Sequence, residues 1–76
     1  MSAKLTVLIL AKNEEKNIAD CLRSVRFADE VIVIDDFSSD RTAEISRGMG
    51  AKVIQHALDG NWGGQQTFAI HQASHE

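Results

Sequence analysis

The 76-residue chain has no proline, no tyrosine and a single cysteine, and it contains neither a cluster of basic residues nor an apolar run long enough to cross a bilayer. The first two absences decide nothing. The lone Cys21 does, because it has no partner for an internal disulfide, and its place among apolar helix positions fits a core thiol in a reduced, cytoplasmic setting. No activating base is implied around it, so it does not read as a nucleophile. A formal charge of -3 without clustered Lys and Arg argues against nucleic acid as a partner. The apolar run from Leu5 to Ala11 is too short for a membrane helix, and the charged stretch from Lys12 to Lys16 is unlike a signal-peptide cleavage region. His56, His71 and His75 have no metal-ligand spacing, the His71 and His75 pair lacking a third ligand.

What is present is an alternation of apolar runs and amphipathic stretches. Hydrophobic residues at 43% and charged residues at 25% describe a folded globular protein of one domain at most. A chain this short hides only about 60% of its unfolded surface, so its core is thin. Continuous apolar sequence from Lys4 to Ala11 and from Val31 to Ile34 predicts two interior strands. Between them, Ile18, Cys21, Leu22 and Val25 recur at helical spacing over residues 17 to 25. A second helix is expected from Arg41 to Met49, capped by oxygens of Ser38, Ser39 or Asp40 and stopped at Gly48 or Gly50. The mixed character of Lys52 to His56 suits an edge strand.

Right-handed crossovers then place strands 3, 2 and 1 side by side, which makes the fold class α/β: a three-layer, mostly parallel sheet with flanking helices. Residues 58 to 65 form a turn-rich loop carrying Trp62, and a last helix is expected from about Gln66 to Ser74 with Phe68, Ile70 and Ala73. No fourth strand is expected. Strand 1 then lacks a second neighbour, so residues 1 to 76 look like the front end of a longer enzyme with an open strand-1 edge available for self-association.

The sharpest feature is the acidic pair Asp35 and Asp36 at the carboxyl end of the second strand, where open α/β sheets hold their ligands. The blander alternative is a helix entry with solvated carboxylates and a serine cap. Residues 11 to 17 contain no glycine, which excludes both a dinucleotide-binding turn and a P-loop. A phosphorylation receiver is also excluded, since its acidic pair follows the first strand rather than the second.

KLTVLILAKNEEKNIADCLRSV followed by DEVIVIDDFSSDRTAEI resembles the amino-terminal half of the nucleotide-binding domain of family 2 glycosyltransferases, which have a GT-A fold. The tail AKVIQHALDGNWGGQQTFAIHQA is similar to the branch acting in lipopolysaccharide core synthesis, described as β-1,4-glucosyltransferases. The resemblance implies transfer of a sugar, glucose, from a nucleotide-sugar donor such as UDP-glucose to a lipopolysaccharide core or other glycan. It also implies a cytoplasmic enzyme, placed at the inner face of the bacterial membrane, of which this chain is the inactive donor-binding part.

In that family an aspartate at the position of Asp36 accepts the uracil N3–H, a bond to a charged acceptor worth about 1.5 to 3 kcal/mol. Because successive strand side chains point to opposite faces, Asp35 is expected to orient loop or helix amides instead. Leu10, Ala11, Asn13 and Glu14 are expected to line the base and ribose, with a local turn role as the alternative for Asn13 and an exposed acidic loop for Glu14. Gln65 and Gln66 fall where many relatives place a basic residue near the diphosphate; an amide brings no charge there. Trp62 is read as a stacking residue or a loop anchor. A divalent metal, Mg or Mn, is implied through a DxD motif that this sequence does not contain, and so is a downstream general base. Two other readings compete: a non-catalytic nucleotide-binding or interaction module, and a nucleotidyltransferase, a class that usually carries a Gly-rich loop after strand 1.

Overall fold

Apolar continuity decides where the strands lie. The computed structural model describes residues 4–57 and 65–72. In chain order these form β1 (Lys4–Ala11), α1 (Ile18–Ser24), β2 (Glu30–Asp35), α2 (Thr42–Gly48), β3 (Lys52–Gln55) and β4 (Gln65–Gln72). The sheet order is β3-β2-β1-β4. β1 pairs parallel with β2, from Thr6 opposite Glu30 to Ala11 opposite Asp35, and β2 pairs parallel with β3. The chain therefore has the α/β architecture of the amino-terminal half of a GT-A fold, a mostly parallel sheet in the expected 3-2-1 order with helices against it.

The fourth strand is a correction. Residues 65 to 72 do not form the expected helix but run antiparallel beside β1, from Lys4 opposite Gln72 to Ala11 opposite Gln65. Phe68 and Ile70 are two apart, which is strand spacing, and Thr67, Phe68 and Ile70 all favour strands. The open backbone edge of an apolar interior strand outweighs a weak helical pattern, because each unpaired N–H and C=O needs a partner. Occupation of that edge also removes the strand-1 edge expected to support self-association. Residues 58 to 64 with Trp62, and residues 73 to 76 with His75, lie outside the described residues.

Alternation along the strands sorts side chains onto two faces. On one, Val7, Ile9, Ala11 and Val33 join Ile18, Leu22 and Val25 in the buried core beneath the helices. On the other, Leu8 and Ile32 lie opposite each other, as do Leu10 and Ile34, and all four are only half-buried. Their row neighbours Phe68 and Ile54 are 46% and 40% exposed. Among the described residues, both helices lie on the first face: Ile18 and Leu22 of α1 belong to the buried core, and Ile45 of α2 packs on it. α2 ends at the expected turn, where Gly50 takes φ 93, a conformation that glycine adopts without penalty.

Candidate functional site

The carboxyl ends of β1 and β2 each release a loop, and the two loops are stitched to one another. Asn13 takes φ 53, a left-handed conformation that asparagine tolerates better than most residues. Its N–H donates to Ser38 Oγ at 2.8 Å, and its side-chain oxygen accepts from the Ser39 N–H at 2.8 Å. The next amide, Glu14 N–H, donates to Thr42 Oγ1 at 2.8 Å, and Glu15 N–H donates to Asp40 Oδ2 at 3.1 Å. In return, Glu15 Oε1 accepts the Arg41 N–H at 2.9 Å. Asp40 Oδ1 also takes the Thr42 N–H at 2.9 Å and its hydroxyl, which supplies the first-turn cap of α2. Thr42 is fully buried at the centre of this latch.

The titration of Asp40 is displaced by its place in the latch. Desolvation pushes its carboxyl up, but the hydrogen bonds from Thr42 and from the Glu15 and Asp40 amides outweigh it and hold it below the usual carboxylate range.

The acidic pair divides along the strand alternation. Asp35 is 0% exposed on the helix side, where Oδ2 accepts the Ser38 N–H at 3.1 Å and Oδ1 accepts the Ser38 hydroxyl. It orients the loop as expected. Asp36 continues the ladder one residue past β2, its N–H donating to Ala11 O at 2.9 Å, so alternation carries its side chain to the opposite face. It is only 6% exposed, yet its carboxylate makes no hydrogen bond or ion pair among the described residues. A buried carboxylate without a donor is costly to hold, and a ligand N–H or O–H would satisfy it.

The remaining expected site residues divide accordingly. Leu10 lies opposite Gln66 on the open face, the same side as Asp36, and the Gln66 side chain is exposed. Ala11 is buried on the helix side, in register with Asp35 and Gln65. Asn13 is engaged in the latch, and Glu14 Oε1 accepts from Asn17 Nδ2 at 3.2 Å. The structure thus brings Leu10, Gln66 and Asp36 to one face and assigns Asn13 and Asp35 to holding loops. Sequence reasoning missed Ser38 and Thr42 as latch residues; their signal was small polar side chains alternating with Asp40.

Two surface cavities flank the sheet. One of about 400 Å³ lies at the amino ends of β2 and β3, with Leu22, Arg26, Glu30 and Lys52 among its walls, and one of about 370 Å³ lies against Asn13 to Asn17 and Asp40. Size does not choose between them. The second lies beside the latch at the carboxyl end of the sheet, and neither cavity has Asp36 among its lining residues. Among the described residues no group of three or more His, Cys, Asp or Glu side chains is arranged to hold a metal ion.

The profile of glycosyl transferase family 2 matches residues 6–76, and the chain belongs to that family. It is similar to an uncharacterized glycosyltransferase of Rickettsia typhi, with 45% identity over 67 residues that cover 87% of this chain and 23% of the relative. It is also 48% identical over 60 residues to the 4,4'-diaponeurosporenoate glycosyltransferase of Staphylococcus haemolyticus, covering 75% of this chain and 16% of that protein. The Staphylococcus aureus protein of the same name is 37% identical over 76 residues, 93% of this chain and 20% of its own length. The chain therefore spans less than a quarter of the length of these relatives. No solved structure matches.

Proposed function

We propose that residues 1 to 76 are the donor-binding part of a larger glycosyltransferase, and that Asp36 recognises the uracil ring of a nucleotide-sugar donor through its N3–H. The observation that carries this reading is the Asp36 carboxylate, buried and without a partner among the described residues, at the carboxyl end of the sheet in a chain of this family. Cytosine has no N3–H, so the same carboxylate discriminates between pyrimidines. Leu10 provides apolar contact beside it and Gln66 a neutral hydrogen-bonding amide. Charge compensation of the diphosphate by Mg or Mn, and the general base, belong to polypeptide outside this chain.

The finer assignment is glucose from UDP-glucose, delivered to a lipopolysaccharide core or other glycan at the cytoplasmic face of a membrane. Its support is the likeness of the tail, residues 51 to 73, to that branch, together with the free thiol of Cys21. The relatives named 4,4'-diaponeurosporenoate glycosyltransferase favour diaponeurosporenoate as a second acceptor. A transfer assay offering both acceptors separates them. Among the described residues no helix is long and apolar enough to cross a membrane.

The donor reading is tested by titrating UDP into the protein and into its Asp36→Ala and Asp35→Ala variants by calorimetry. Loss of the charged acceptor in Asp36→Ala weakens binding by about 10-fold or more, from the roughly 1.5 to 3 kcal/mol of such a bond. Equal and negligible losses in the two variants contradict the reading.

A further inference from the structure

With the latch accounted for, one residue of the stretch from Asp35 to Thr42 has a conformation that folding does not explain. Three consecutive amides are tied down at the end of β2: Asp36 N–H to Ala11 O at 2.9 Å, Phe37 N–H to Gln55 Oε1 at 3.1 Å, and Ser38 N–H to Asp35 Oδ2 at 3.1 Å. Together they hold Phe37 at φ 47. A bulky side chain in this left-handed region is an outlier, because its Cβ crowds the following carbonyl; glycine would occupy it freely. Such strain persists only where the surroundings over-determine it, as these three bonds do.

Burial of the ring does not compensate, since Phe37 is 62% exposed. Strain and exposure both count against stability, and nothing among the described residues offsets either. The residue immediately before it is Asp36, buried and lacking a donor among the described residues. At φ 47 Phe37 has left strand geometry, so the alternation that separates Asp35 from Asp36 does not carry its ring to the face opposite Asp36, and consecutive Cα atoms about 3.8 Å apart keep both groups within reach of one ligand.

We propose that the Phe37 ring is an aromatic wall of the ligand site, stacking on the planar ring whose N–H is taken by Asp36. The proposal rests on the uracil reading of Asp36 and adds to it a second element of recognition. A carboxylate alone accepts from any amine or hydroxyl. Paired with an aromatic face it selects a flat heterocycle bearing an N–H, because every nucleobase has a π-face and only some present the donor. The left-handed turn is then the means of presenting a ring to a ligand rather than to the core.

The experiment combines UDP titration with ligand-free melting, on the full-length protein and its Phe37→Gly and Phe37→Trp variants, with ribose 5-phosphate as a base-free control. Phe37→Gly is expected to melt a few degrees higher, because strain is relieved, and to bind UDP about 10-fold more weakly, because a base–aromatic stack is lost. Phe37→Trp is expected to keep UDP affinity within about twofold of the parent, since an indole stacks as well as a phenyl ring. Ribose 5-phosphate is expected to bind parent and Phe37→Gly alike. Unchanged UDP affinity in Phe37→Gly, while the parent binds UDP, overturns the proposal and leaves the Asp36 reading standing. A lower melting temperature in Phe37→Gly also overturns it, since the ring would then be part of the core. Failure of the parent to bind UDP removes the uracil reading and this proposal with it.

Discussion

On the helix side of the sheet Val7, Ile9 and Val33 are sealed beneath α1 and α2, whereas the equally apolar Leu8, Leu10, Ile32 and Ile34 are half-buried on the side that no described helix reaches. The polar residues follow the same division. Asp35, on the helix side, has its oxygens filled by Ser38; Asp36, one residue on and on the other side, has none filled among the described residues. Parallel sheets are ordinarily covered on both faces, so the contrast separates a face that holds the fold from one that is available to something else. One strand's alternation divides a carboxylate held by Ser38 from one that has no donor among the described residues.

The largest effect should come from the sealed face. Ile9→Ala is expected to cost about 2 to 5 kcal/mol, since it opens a cavity in a site that is 0% exposed. Ile34→Ala, on the other face, should cost less than half as much in denaturant unfolding of the 76-residue chain, because its side chain is already partly hydrated. Equal losses would mean that the second face is covered in the folded molecule.

The acidic pair sharpens the comparison at lower cost. Asp35→Ala strands the two Ser38 donors and should destabilise by about 1 to 3 kcal/mol, whereas Asp36→Ala should leave the melting temperature unchanged or raise it, since a buried polar group without a donor among the described residues is removed. A fall in stability for Asp36→Ala as large as for Asp35→Ala would show that Asp36 has a structural partner after all.

The latch between the two loops adds a pH dependence. Because Asp40 is held below its unfolded value of 3.8, its contribution is fully present above that pH and is lost as pH falls through the lower folded-state value. Melting curves from pH 6 down to about pH 2 should therefore steepen below about pH 4, and Asp40→Asn should flatten that part of the profile while costing about 0.5 to 1.5 kcal/mol at neutral pH, because the oxygen that accepts the Glu15 N–H is replaced by a donor. An unchanged acid limb in Asp40→Asn would place the acid sensitivity elsewhere. The smallest effect is expected at the surface pair of Arg23 and Asp20, both largely exposed, where Arg23→Ala should change stability by less than about 0.5 kcal/mol.

Most of the fold was legible because the apolar runs of β1 and β2 and the i, i+3, i+4 faces of the helices leave few alternatives. β4 was misread for a physical reason. Its sequence carries a weak pattern of either period, and its state is set by the unpaired edge of β1, about 60 residues away in the chain. The site was legible where it depends on alternation, which separated Asp35 from Asp36 without coordinates. It was illegible where it depends on partners far apart in sequence: the bonds from Asn13, Glu14 and Glu15 to Ser38, Asp40 and Thr42 cross 25 to 28 positions. Phe37 gave no signal at all. Nothing local announces that three hydrogen bonds from successive amide N–H groups hold a phenylalanine in a conformation suited to glycine.

Whether an unsatisfied carboxylate reads a pyrimidine is most directly measured by comparing UDP with CDP binding in the parent protein and in Asp36→Asn. The parent should favour UDP by about 10-fold or more, from the charge-assisted bond, and Asp36→Asn should bring the two ligands near parity, since a carboxamide can also donate to cytosine N3. A preference for UDP that survives Asp36→Asn undiminished would contradict the account.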